Sequence, residues 1–81
     1  MSEQKFYVYS KSNCGFCERL IDFMEKNEII YEKFTLGNDF TSEQFVQRFG
    51  TGKTFPQVSV GHEQIGGMKD TVKYLVSNRY V

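Results

Sequence analysis

At 81 residues the chain has room for one domain, near the lower size at which a single core holds a fold unaided, so one domain over residues 1–81 is expected. Ten basic and ten acidic side chains cancel, which removes the electrostatic case for nucleic acid or an anionic membrane as the main partner. With 40% hydrophobic and 16% aromatic residues, the composition suits a packed aromatic and β-branched core rather than a disordered chain.

The longest unbroken apolar stretch, Phe6-Tyr7-Val8-Tyr9, is far short of the ~20 residues that span a bilayer. The start, Met1-Ser2-Glu3-Gln4-Lys5, lacks the apolar segment of a secretory signal, so a cytoplasmic monomer is expected.

Residues 5–9 are aromatic and β-branched and run into Ser10-Lys11-Ser12-Asn13, the pattern of a short buried strand followed by a loop. Phe16, Cys17, Leu20, Ile21 and Met24 then recur at helical spacing, with Glu18, Arg19, Asp22, Glu25 and Lys26 opposite them. This helix begins inside the sequence Cys14-Gly15-Phe16-Cys17. Residues 29–35 read as a second strand. Thr41 and Gln44 form a capping-box pattern ahead of a helix whose buried face carries Phe45, Val46 and Phe49 and which Gly50 stops. Residues 57–60 and 63–65 flank Gly61-His62 as a tight hairpin. After Gly66-Gly67, the positions Met68, Val72, Leu75 and Val76 share a face of a last helix. The order β-α-β-α-β-β-α, with a parallel unit first and an antiparallel hairpin added, predicts an α/β thioredoxin-like fold: a four-stranded mixed sheet flanked by three helices.

The two cysteines, Cys14 and Cys17, are the only ones in the chain. A disulfide between them closes so short a loop that chain entropy yields only about 2 kcal/mol, a poor structural staple. A close pair in a reducing compartment is more often redox-active or metal-binding. A zinc site needs a second half, and with no other cysteine and His62 as the lone histidine, that half is missing. His62 reads as a solvated turn residue. A thiol with an unperturbed pKa near ~8.5 is mostly protonated at neutral pH and must ionise to attack. Cys14 stands just ahead of a helix, where unpaired N–H groups and the helix dipole favour a thiolate, and Lys11 is close in sequence. Cys17, one turn inside, is the more shielded. Cys14 is therefore the attacking thiol and Cys17 the resolving one.

Two other patterns fail on inspection. Gly52-Lys53-Thr54 looks like the end of a phosphate-binding loop, but Gln47 occupies the position that needs glycine and Phe55-Pro56 follows where a helix should. Phe6, Tyr7 and Tyr9 without a basic surplus read as core, not as a stacking platform for nucleic acid.

Taken together, the strand, Cys14-Gly15-Phe16-Cys17, the following helix, Thr54-Phe55-Pro56, and Gly66-Gly67 before the last helix resemble the glutaredoxin family along nearly the whole chain. The resemblance implies a glutathione-disulfide oxidoreductase that acts through Cys14 and Cys17, with glutathione as co-substrate and no tightly bound cofactor. It implies a cis bond before Pro56 and a Phe55 backbone that pairs with the cysteine moiety of glutathione. Lys11 and Lys53 would face the glycine carboxylate, with Thr54 nearby and Phe16 as an aromatic wall. Gly67, Met68, Lys69 and Asp70 would receive the γ-glutamyl end, the helix start supplying N–H groups and Asp70 accepting from the ammonium. Protein disulfides are the implied substrates, that of ribonucleotide reductase among them.

The chain departs from the commonest family pattern in two places. Gly15-Phe16 replaces Pro-Tyr between the cysteines, losing a phenol hydroxyl and loosening the turn. That pair is similar to monothiol members, which hold a [2Fe-2S] cluster between subunits, so a cluster on Cys14 is a second reading; Cys17 argues for the dithiol class. Lys69 stands where an acidic or small polar residue is usual. A thioredoxin-type electron donor is a further rival, although the chain lacks the Trp-Cys-Gly-Pro-Cys signature.

Overall fold

The computed structural model describes residues 4–81, so residues 1–3, on which part of the expectation about a secretory signal rests, lie outside the described residues. Seven elements follow in the expected order: β1 Phe6–Ser10, α1 Gly15–Lys26, β2 Tyr31–Thr35, α2 Ser42–Phe49, β3 Gln57–Val60, β4 Glu63–Gly66 and α3 Met68–Ser77. Among the described residues the strands form one sheet in the order β2-β1-β3-β4. β1 pairs parallel with β2, from Phe6 opposite Tyr31 to Ser10 opposite Thr35, and antiparallel with β3. β3 and β4 form the antiparallel hairpin, turned by Gly61 in the left-handed region at φ 59°. This is the thioredoxin-like mixed sheet that the sequence predicts.

Alternation along β1 divides the core into two layers. Phe6 and Val8, with Val58 and Val60 from β3, point to the face where Leu20 and Met24 of α1 and Leu75 of α3 pack on them. Tyr9 turns to the other face and joins Phe40, Phe45, Phe49, Phe34 and Phe55. That second layer is almost wholly aromatic. Its rings meet edge to face or stacked, as Tyr9 does with Phe49 at 4.9 Å and Phe45 with Phe55 at 4.4 Å.

Three sequence expectations need correction. Ile29 is buried but precedes the strand, its N–H donating to the Met24 carbonyl at 2.8 Å, so β2 starts at Tyr31. Val46 and Val76 are 43% and 56% exposed and do not share the buried faces of α2 and α3. Each follows a buried residue, Phe45 or Leu75, and the ~100° step of an α-helix turns it outward. The capping box of α2 is formed, with the Gln44 N–H donating to Thr41 Oγ1 at 3.1 Å and the Thr41 N–H to Gln44 Oε1 at 2.9 Å. Among the described residues no helix is long and apolar enough to cross a membrane.

Candidate active site

The first strand delivers the chain to the cysteines. β1 ends at Ser10, the Lys11-Ser12-Asn13 loop reverses direction with Asn13 in the left-handed region at φ 57°, and Cys14 becomes the N-cap residue of α1. An N-cap side chain ordinarily offers an oxygen to the unpaired N–H groups of the first turn. Here sulfur takes that place: the Cys17 N–H donates to Cys14 Sγ at 3.2 Å, and the Glu18 N–H to the Cys14 carbonyl at 3.1 Å. Cys14 and Cys17 are joined as a disulfide, their Cα atoms 5.2 Å apart. Cys14 is 7% exposed and Cys17 2%, so both are buried and Cys14 is the more accessible residue.

The bond between Phe55 and Pro56 is cis, as the resemblance implies. Pro56 is buried, and the loop before it is braced by Gln57, whose Nε2 donates to the Thr54 carbonyl at 2.8 Å. The Phe55 ring is seated in the aromatic layer on Phe45 and Phe40. Lys11 Nζ lies 5.6 Å over the centroid of the same ring, within the range of a cation–π contact.

Close backbone approach sets the Gly66-Gly67 position. A Cβ on Gly67 would stand 3.5 Å from the Pro56 carbonyl oxygen, which places the start of α3 directly against the proline loop. Gly66 has φ 126°, and a Cβ there would meet Asp70 Oδ2 at 2.6 Å, so only glycine lets the Asp70 carboxylate fold back over the turn. Gly67 is the N-cap of α3 and has no side chain to bond the first N–H groups, which leaves them directed outward.

A cavity of 800 Å³ joins the proline loop, the Gly-Gly turn and Phe16, with Cys14 and Cys17 themselves outside its lining. Phe16, Lys53, Thr54, Phe55, Pro56, Gly67, Met68, Lys69 and Asp70 all line it, and Phe16 is there because its ring is 59% exposed instead of facing the core. Lys11 borders the same region through Phe55 without lining the cavity. The wall also includes Gly52, Gln57 and Gly66, and it continues along α3 to Val72 and Lys73, which sequence reasoning passed over. In the sequence Val72 is a buried-face position only, and Lys73 carries no signal of its own.

His62 is exposed in the hairpin turn. Among the described residues no three His, Cys, Asp or Glu side chains gather where a metal ion would sit. A [2Fe-2S] cluster takes four ligands, more than the two thiols of one chain, so the cluster reading calls for Cys14 of a second subunit and for glutathione, and no step below runs through a cluster.

Comparison with known proteins agrees with this geometry. The glutaredoxin family model matches residues 7–65. Glutaredoxin 1 of Rickettsia typhi is 29% identical over 66 residues, covering 78% of this chain and 62% of that protein. The chain spans from about a fifth to about two thirds of the length of the curated relatives it matches. Among solved structures, reduced Escherichia coli glutaredoxin superposes with a TM-score of 0.76 at 24% identity, over 95% of this chain and 99% of that one. A buckwheat glutaredoxin–glutathione complex gives 0.73 at 24% identity, over 95% and 73%. Both likenesses establish the thioredoxin-like fold. With the matched region extending over well more than half of the chain and containing the cysteine pair and the cis-proline loop, this chain belongs to the glutaredoxin family.

Proposed function

We propose that the chain is a thiol–disulfide oxidoreductase that takes its electrons from glutathione and reduces glutathione mixed disulfides and protein disulfides. The observation that carries the reading is the disulfide between Cys14 and Cys17 at the capped start of α1, beside a cavity that ends at the uncapped start of α3.

In the reduced protein the Cys14 thiolate receives the Cys17 N–H and the positive end of the α1 dipole. It attacks the glutathione sulfur of a mixed disulfide, the substrate leaves as its thiolate, and Cys14 is left bonded to glutathione. A second glutathione thiolate attacks the glutathione sulfur of that adduct, which releases glutathione disulfide and restores Cys14. With a protein disulfide, Cys14 bonds to one substrate sulfur and Cys17, three residues on and shielded, displaces the reduced substrate. The product is the Cys14–Cys17 disulfide seen here, which two glutathione molecules return to the dithiol. Ribonucleotide reductase, whose turnover calls for an external dithiol, is the candidate protein substrate that the family resemblance supplies.

The tripeptide has carboxylates at both ends and an ammonium at one, and the charged residues of the cavity, with Lys11 beside it, support a fit to that pattern. Lys11 and Lys53 serve the glycine carboxylate, the free N–H groups of α3 with Lys69 serve the γ-glutamyl carboxylate, and Asp70 accepts from the ammonium. The Phe55 backbone, ahead of the cis proline, is the segment that the family resemblance pairs with the cysteine moiety as an added strand. The buckwheat glutaredoxin that shares this fold was solved with glutathione bound. The deciding experiment is glutathione-coupled reduction of a glutathione mixed disulfide, followed through glutathione reductase and NADPH. Cys14→Ser should abolish turnover, and retained activity would overturn the assignment. A thioredoxin-type donor would instead draw electrons from a thioredoxin reductase in the parallel assay.

A further inference from the structure

The charge of the groove differs from that of the chain. Acidic and basic side chains balance over the whole sequence, yet the residues lining the 800 Å³ cavity include three lysines, Lys53, Lys69 and Lys73, and one acidic residue, Asp70. The two ion pairs among the described residues, Lys5 with Glu32 and Lys26 with Asp22, engage none of the three lysines.

Lys73 stands apart from the other two. The field of a helix N-terminus fades beyond its first turn, and Lys73 is the sixth residue of α3, about 6 Å further along the axis than Lys69. A carboxylate seated on the N–H groups at the helix start is served by those groups and by Lys69. Lys73 also borders a smaller cavity of 300 Å³ with Glu63 and Asp70, but pairs with neither. The same groove wall includes half-buried Val72, its neighbour in the chain, and the exposed Phe16. A cation in a partly apolar wall, one helical turn past the N–H groups that would hold glutathione, complements a peptide segment carrying an acidic side chain.

We propose that the groove beyond the glutathione position is a docking surface for acidic protein substrates, in which an Asp or Glu flanking the target cysteine pairs with Lys73 and an apolar neighbour rests on Val72 and Phe16. This rests on the glutathione reading above, because the substrate cysteine reaches Cys14 as a mixed disulfide with glutathione. Lys73 is a specificity residue and takes no part in the sulfur exchange. Its contribution is electrostatic and surface-exposed, hence sensitive to salt.

The test compares two glutathionylated peptides, identical except that Asp and Glu flank the cysteine in one and Lys and Arg in the other, with the small mixed disulfide of glutathione and 2-mercaptoethanol as reference. Wild type should favour the acidic peptide by about fivefold in kcat/KM at low salt, the size of one exposed ion pair. The preference should shrink in 0.5 M NaCl (about 0.5 M suffices to shorten the Debye length to a few ångströms). Lys73→Gln should remove it, Lys73→Glu should reverse it and Lys73→Arg should keep it, while turnover of the small mixed disulfide stays unchanged in all three. Equal rates on the two peptides, or a preference that survives Lys73→Glu, would overturn the docking surface and leave the glutathione reading standing. Failure to turn over any glutathionylated substrate would overturn both. Sedimentation of the wild type as a dimer that Lys73→Glu dissociates would assign the surface to a second copy of the chain and overturn the proposal as well.

Discussion

The ring of Phe55 stacks on that of Phe45, centroids 4.4 Å apart and planes within 18° of parallel. The residue that precedes the cis proline is thereby anchored on α2, and the loop beside the cysteines inherits its position from the aromatic layer beneath the sheet. Removing Phe45, which is 6% exposed, opens a cavity under that loop. Phe45→Ala should cost about 3 kcal/mol of folding stability by urea denaturation, and at temperatures where the variant is still folded KM for a glutathione mixed disulfide should rise more than kcat falls.

The two cysteines should separate in function. Cys17→Ser leaves the attacking sulfur and its cap position in place, so it should retain reduction of glutathione mixed disulfides while losing most reduction of protein disulfides. Equal loss of both activities in the paired assays would show that Cys17 does more than resolve the intermediate.

Gly66 is a position where a methyl group has no room. With φ at 126° and Asp70 Oδ2 only 2.6 Å from the place of a Cβ, Gly66→Ala must displace either the turn or the carboxylate. A loss of about 1–3 kcal/mol is expected for the strained backbone, together with weaker glutathione binding by calorimetry. Ala at Gly15, where a Cβ meets nothing within 4 Å and the backbone is helical, should be tolerated and serves as the control.

An alkaline transition should be visible at one tyrosine. The Tyr31 hydroxyl donates to Glu25 Oε2 at 2.6 Å, and this hydrogen bond, with burial and the carboxylate charge adding to it, pushes the Tyr31 pKa up to about 12. The folded value lies above the ordinary tyrosine value of ~10. Its contribution is therefore complete below pH ~10 and is lost as pH rises through the folded pKa. The stability difference between wild type and Tyr31→Phe should be constant from neutral pH to about 10 and shrink between about 10 and 12, as read by denaturant unfolding across that window. A flat difference through pH 12 would contradict the hydrogen bond.

Much of this architecture was legible in the residues, because the signals were local. The capping box at Thr41 and Gln44, the turn at Gly61 and the alternation of Phe6 and Val8 each depend on neighbours within a few positions. Val46 and Val76 are apolar and so resemble core positions in the sequence, but the helical step from Phe45 and Leu75 turns them to solvent. The lysine–ring contact between Lys11 and Phe55 joins residues 44 positions apart (55 − 11) and has no sequence signature. Lys73 was missed for a related reason: it lies one turn past the last recognisable motif, and only the helix brings it to the wall of the groove.

The hydrogen bond from the Cys17 N–H to Cys14 Sγ gives the first turn of α1 a cap whose strength depends on oxidation state. A neutral disulfide sulfur is a weak acceptor, whereas a thiolate at the same place is a full anion at the positive end of a dipole. Gaining two electrons therefore tightens the first turn, and by linkage a change that frays that turn makes those electrons easier to give up. Substitutions that fray α1 far from sulfur, at Met24 or Asn27 for example, should shift the balance between donor and acceptor states of the couple. Helix stability in this chain is thus a variable of its electron chemistry.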